Sequence, residues 1–264
     1  MSFRQAHVGW ILLLLWITPV QAASFVAGGT TWRPYSYEDE QGTARGISVD
    51  ITRHVMQMAG IDISFVFYPV NRLQTMLTND RIDLNYADSA QWNSTDDLHR
   101  YVFSIPYMQV EEHLYFLASH PARNTPVDKL SNLTLGVIRG YMYRSSLDPM
   151  FAEKRAAKLE TSQDLALIKL LQSKRVDAVA MVDDLFNYLV SQQNLDPTLF
   201  HKGALLGNAP LVIKLQPEHA QWLPKINSAI ETMVRSGEVE RIRKAYLPAR
   251  LSANKAECTL PGNN

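Results

Sequence analysis

Val49, Ile51, Val55, Met56 and Ala59 recur at roughly helical spacing, and Gly60 follows where a left-handed cap ends a helix. Ile61, Ile63, Phe65 and Phe67 then alternate, which is the period of a strand. A short strand around 25–27 precedes them, and the polar, glycine-punctuated stretch 37–46 between reads as a turn. A helix over about 71–78, with Leu73, Met76 and Leu77 on one face, leads to a strand over 82–87.

The second half repeats the plan. Thr161 to Asp164 resembles a capping box and opens a helix with Leu165, Ile168 and Leu171, which gives way at Ser173-Lys174 to a strand over 176–182. The two helix-to-strand junctions match: Asp80-Arg81-Ile82-Asp83-Leu84 beside Lys174-Arg175-Val176-Asp177-Ala178. With strands and helices alternating in both halves, this predicts two similar α/β lobes. Further on, 211–215 reads as a strand. Pro224 opens a helix with Ile226, Ile230, Met233 and Val234 on one face, and a shorter helix with Val239, Ile242 and Tyr246 stops before Pro248. No period runs through 252–264, the pattern of a frayed tail.

Composition narrows the function. The 264 residues are 46 % hydrophobic and 20 % charged, enough for one large core or two modest ones. Lysine plus arginine equal aspartate plus glutamate at 26 each, so no excess cation is available for phosphates and nucleic acid is excluded as a partner. The single cysteine, Cys258, rules out an internal disulfide framework and a thiolate metal cage, and it reads as a free thiol. The seven histidines show no pair at metal-ligand spacing on one helix, and no metal or other cofactor is expected. Arg4 and His7, the apolar run from Val8 to Ile17 and the small residues before Ala23 make 1–22 a cleavable secretory signal. That run is too short to span a bilayer, and no later stretch is long and apolar enough to do so. A soluble, exported and therefore periplasmic chain is expected.

Seven motifs in order resemble the family 3 bacterial extracellular solute-binding proteins. They are Trp32-Arg-Pro-Tyr35, Gly42 to Asp50, Leu73 to Asp83, Phe103-Ser-Ile-Pro-Tyr107, Leu130 to Gly140, Val176-Asp-Ala-Val179 and the helices within 226–247. The resemblance implies an α/β, two-lobed periplasmic-binding-protein fold of type II, each lobe a mixed sheet flanked by helices and joined by two hinge crossings. Lobe I would comprise 23–112 and 209–264, and lobe II 113–208. It also implies a monomer that closes on a small ligand, most simply an amino acid or a derivative, and delivers it to an ABC transporter permease.

Trp32 and Tyr35 stand where the family places aromatics that cover a ligand. The family's carboxylate-binding arginine would fall near Thr95, whereas this chain has Arg100. Either the loop 91–99 is reshaped so that Arg100 reaches the cleft, or the clamp is missing. Arg72, near a helix start, offers a second cation. Asp88, just past a strand, could accept a bond from a ligand ammonium. Arg139, Gly140 and Tyr141 follow a strand and are expected to open a helix whose free amides suit an anion, and Tyr141 and Met142 suggest an aromatic pocket wall. Asp183 lies near the family's ammonium-binding aspartate, but six residues from Asp177 instead of the usual five.

Two other functions share the cleft. Some exported relatives resemble cyclohexadienyl dehydratases, which need a carboxyl group as proton donor. No glutamate falls clearly in the cleft motifs, so a non-enzyme is expected. A binding module for a membrane sensor would look the same as a transport protein.

Overall fold

The computed structural model describes residues 23–141, 143 and 147–247. The proposed signal segment, Met142, Cys258 and the tail fall outside them. Chain order runs β1 (Ala23–Gly29), β2 (Tyr37–Glu38), β3 (Ala44–Arg45), α1 (Ile47–Ala59), β4 (Ile61–Phe67), α2 (Val70–Thr78), β5 (Leu84–Asp88), α3 (Thr95–Arg100), β6 (Val102–Phe103) and β7 (Met108–Leu117). It continues with β8 (Leu133–Ile138), α4 (Asp148–Ala152), β9 (Ala156–Thr161), α5 (Asp164–Gln172), β10 (Ala178–Val182), α6 (Asp183–Gln192), β11 (Phe200–Leu215), α7 (Leu223–Arg235) and α8 (Glu238–Tyr246).

The fold is two-lobed, and its sheet is built in two parts. In one, β4, β1 and β5 run parallel, with the end of β11 antiparallel to β5 at Val212, Lys214 and Leu215. In the other, β7 pairs antiparallel with β10, which leads on through parallel β8 to β9. Two strands join the parts. β11 pairs with β7 from Phe200 to Leu211 and changes partner to β5 at Val212, so β7 and β11 are the crossings. Apolar faces of α1, α7 and α8 pack onto the first part, burying Ile47, Ile51, Val55, Ile226, Ile230 and Ile242. Helices α5 and α6 cover one face of the second with Leu167, Ile168, Leu171 and Phe186, and its other face buries Leu114, Phe116, Leu135 and Met150.

Several boundaries differ from the sequence pattern. Gly60 caps α1 at φ 75°, as its place after Ala59 predicts. The strand expected over 211–215 is only the end of 16-residue β11, whose earlier part contains Gly203, Gly207 and Pro210 and pairs with β7 through register shifts around Leu205. The loop 91–99 contains a helix instead: Ser94 accepts the Asp97 N–H and Asp97 accepts the Ser94 N–H, a reciprocal cap that starts α3. No helix opens at Gly140. It turns at φ 86°, Tyr141 donates back to the Ile138 carbonyl, and the next helix among the described residues starts at Asp148.

The internal repeat is structural. Asp80 and Lys174 both adopt the left-handed conformation, at φ 54° and 55°. Beyond them, Asp83 accepts the Val26 N–H of β1 at 2.6 Å, and Asp177 accepts the Thr134 N–H of β8 at 2.7 Å. Each carboxylate has a histidine on its other oxygen, His219 at 2.7 Å from Asp83 and His120 at 3.3 Å from Asp177. Each lobe thus closes its helix-to-strand corner on an N–H that a side chain, instead of a ladder, must satisfy. Asp83→Ala and Asp177→Ala are each expected to cost about 1–3 kcal/mol in urea unfolding, by orphaning that N–H. Equal stability of either variant would contradict the anchoring role.

Candidate functional site

A cavity of about 100 Å³ lies between the two parts of the fold, room for roughly seven to ten water-sized groups. Its near wall comes from the turn after β1 (Thr30, Trp32, Ser36), from Leu73 and Gln74 of α2, and from Asn85, Ala87 and Asp88 of β5, with Trp92 just beyond. Its far wall is Glu112 of β7, Gly140, Tyr141 and Tyr143 after β8, and Val182 at the end of β10. A ligand inside would touch both parts at once, the condition for binding to drive closure.

Trp32 is pinned by its local turn. Its N–H donates to the Ser36 carbonyl at 2.7 Å, its ring stacks on Tyr35 at 4.3 Å, and it meets the Trp92 ring edge-on at 6.1 Å. Tyr35 is therefore the support under Trp32, and it does not line the cavity. Its hydroxyl instead donates to Asp184 of α6 at 3.0 Å, and burial, reinforced by that carboxylate, pushes its pKa well up.

Asp88 borders the cavity but has its own partners. Asn85 and Asn93 donate to its two oxygens at 3.0 and 2.8 Å, the Ser89 N–H adds 2.7 Å, and the fully buried Lys214 ammonium stands 3.6 Å away. Burial raises its pKa in spite of Lys214. Lys214 is in turn satisfied by the Asn93 side-chain oxygen and lies 4.4 Å from the centre of the Tyr101 ring. Glu112 is the opposite case. Half-buried, it has no hydrogen-bond partner among the described residues, and burial pushes its carboxyl up to about 7. Asp164, at the start of α5 on the other side of Tyr141, is pushed up to about 7 by burial as well.

The expected cations lie elsewhere. Arg100 ends α3 at the surface, where it donates to the Thr78 carbonyl at the end of α2 at 2.6 Å, so the α3 cap directs it away and no carboxylate clamp forms from it. Arg72 is exposed, with its guanidinium 5.1 Å over the Tyr68 ring. Arg139 is exposed beside Gly140, whose turn replaces the expected helix start. Asp183 faces away from the cavity and accepts from Tyr115 and pairs with His113, both at 2.8 Å, with Lys202 at 3.2 Å. Although burial raises it, those bonds hold its pKa below the ordinary value. Of the expected residues, Trp32, Asp88, Gly140 and Tyr141 line the cavity; Tyr35, Arg72, Arg100, Arg139 and Asp183 do not.

Sequence reasoning missed Glu112, Trp92 and Val182. Glu112 shares its strand face with Val110, Leu114 and Phe116, so an acid in the apolar phase of a strand was the available signal. Val182 stands five residues from Asp177, the spacing at which an aspartate was expected, and presents an apolar surface there. Among the described residues, Glu111, His113 and Asp183 offer donor atoms within 4.8 Å of one another, as a metal site would. His113 and Lys202 already partner both Asp183 oxygens, which leaves that carboxylate no spare charge for an ion.

A direct link bridges the two parts beside the cavity. Arg243 of α8 donates to both oxygens of Asp184 at 2.8 and 2.9 Å, on a carboxylate that also accepts Tyr35. Both charges are nearly buried, with side-chain exposures of 12 % and 8 %. Such a fork is strong while closed and is resolvated on opening.

The model of the bacterial extracellular solute-binding proteins, family 3, matches residues 25–249. No curated protein matches the chain significantly. Among solved structures, an arginine third transport system periplasmic binding protein from Legionella pneumophila is 17 % identical, with 85 % of this chain and 100 % of that one covered at TM-score 0.69. A histidine kinase sensor domain with similarity to periplasmic binding proteins gives 18 %, 86 %, 96 % and 0.72 for the same quantities. An ancestral amino acid-binding protein described as a precursor of cyclohexadienyl dehydratase gives 14 %, 86 %, 96 % and 0.67. At these identities the likeness is one of fold.

Glu112 sets a pH dependence. A carboxyl raised on folding favours the folded chain below its ordinary value of 4.5, and that contribution is lost as pH climbs through about 7. Glu112→Gln is therefore expected to match the parent at pH 4 and to exceed it by on the order of 1 kcal/mol at pH 8 in chemical unfolding, leaving the Asp164 part of the profile intact. A variant less stable than the parent at pH 8 would mean that the carboxylate has a partner.

Proposed function

The chain belongs to the bacterial extracellular solute-binding proteins, family 3, and from that premise we propose that it closes its two lobes on one small polar solute, an amino acid or a derivative, and presents it to an ABC importer permease. The observation behind this reading is the small cavity walled from both parts of the fold, with only β7 and β11 crossing between them. We place lobe I at 23–112 and 209–264 and lobe II at 113–208, with 1–22 a cleaved signal and the exported chain a periplasmic monomer. No helix of the described residues is long and apolar enough to cross a membrane, in keeping with a protein that meets its permease from outside.

The Asp184–Arg243 fork gives closure a local mechanism. It joins α6 of the far lobe to α8 of the near one, so it forms only when the lobes meet. The fold likeness to a sensor domain keeps a signalling use of the same closure in view, and the partner that recognises the closed form distinguishes the two. The dehydratase alternative gains a proton donor in Glu112. It lacks, among the described lining residues, any lysine or arginine to hold a substrate's carboxylates.

Thermal unfolding against a panel of amino acids, amines, dicarboxylates and sugars tests the reading. A true ligand at 100 times its Kd adds about 2.7 kcal/mol, a rise of about 5–10 °C in Tm. A flat response to the whole panel would count against a solute-binding role. For any ligand found, Asp184→Asn should weaken affinity tenfold or more and raise the radius of gyration of the free protein in X-ray scattering, because the closed population is taxed. Unchanged affinity and radius would remove the fork from the closing mechanism.

A further inference from the structure

Resting on the reading of the cleft as a closing ligand site, we infer that its ligand is a compact organic cation without a carboxylate, an ammonium held by Glu112 against the rings of Trp32, Trp92 and Tyr141. Three independent features of the cavity support this chemistry. First, Glu112 is the lining carboxylate that lacks a partner, whereas Asp88 is bonded on both oxygens and balanced by Lys214. A half-buried carboxylate with no donor is a costly arrangement that a bound ammonium would satisfy. Second, both sides of the wall carry aromatic rings: Trp32 and Trp92 meet edge-on on the near side, and Tyr141 lines the far one. Such π faces attract a desolvated cation.

Third, the described lining gives a ligand carboxylate neutral donors such as Ser36, Gln74 and Asn85 but no cation. Among the described residues no lysine or arginine lines the cavity, and the nearest ammonium, Lys214, sits behind Asp88 and is already satisfied. A zwitterion would bring its carboxylate near Asp88 and Glu112, with no lining cation among the described residues to pair it. At the end of β10, Val182 contributes an apolar surface, so Glu112, on the crossing strand β7, is the anchor for an ammonium. The cavity volume of about 100 Å³ is on the scale of a small solute.

Calorimetric titration of the protein, freed of carried-over ligand by partial unfolding, with pairs that differ by a carboxylate tests the inference: tyramine against tyrosine, histamine against histidine, cadaverine against lysine, choline against glycine betaine. The expected result is at least one pair in which the amine or quaternary cation binds tenfold or more tightly than its acid. Glu112→Gln and Trp92→Leu, each checked by its melting curve, should weaken that cation tenfold or more. Acids binding as tightly as their amines in every responsive pair would overturn the inference and leave the solute-binding reading standing. So would unchanged cation affinity in a folded Glu112→Gln variant. If no member of any pair binds, the cation assignment falls, and the wider panel decides separately whether the cleft binds another solute.

Discussion

A single carboxylate without a partner, at the point where two half-sheets are tied together, is the constraint around which this molecule is arranged. Glu112 sits on β7, which together with β11 makes the two crossings between the lobes. Its neighbours on the same strand face are Val110, Leu114 and Phe116, all buried. An acid in that phase is partly desolvated by its own strand, and a cation entering the cavity would compensate it. The framework that keeps it there is rigid for identifiable reasons. β7 is fixed on one edge by β10 and on the other by β11, and each lobe's parallel strands are pinned by an aspartate at the matching helix-to-strand corner.

Three other acids near the cleft, Asp88, Asp183 and Asp184, are already committed. Lys214 neutralises Asp88, Arg243 and Tyr35 take up Asp184, and Asp183 is paired with His113, Tyr115 and Lys202. These sets do different work. The first holds the wall of the near lobe in shape, the second closes the two lobes on each other, and the third stiffens the crossing strand from behind. Charge that is satisfied within the protein does not recruit a ligand, so recognition falls to Glu112 and the aromatic rings.

Much of the fold was legible because period and punctuation agree. The passage from helical to alternating spacing across Gly60 places α1 and β4 within a residue or two, and the repeated Asp-Arg-Ile-Asp and Lys-Arg-Val-Asp corners mark two lobes built alike. What was not legible depends on tertiary pairing. β11 contains two glycines and a proline that argue against a long strand, and its continuity comes from pairing with β7 across register shifts. The site was harder for the same reason. Arg100 looked available until the Ser94–Asp97 cap turned 95–100 into a helix that carries it to the surface. Asp183 stands near the family's ammonium-binding position, but the sequence does not reveal which distant side chains will reach it. Glu112 was readable in principle from strand phase alone.

The most direct measurement is a carboxyl NMR titration of Glu112, with and without the tightest-binding amine. Glu112 in the free protein is expected to titrate near 7 and to move down toward the ordinary carboxylate range when the cation is bound, because an adjacent positive charge favours the ionised form. A Glu112 that titrates in the ordinary range in the free protein, or does not respond to the bound amine, would contradict the account.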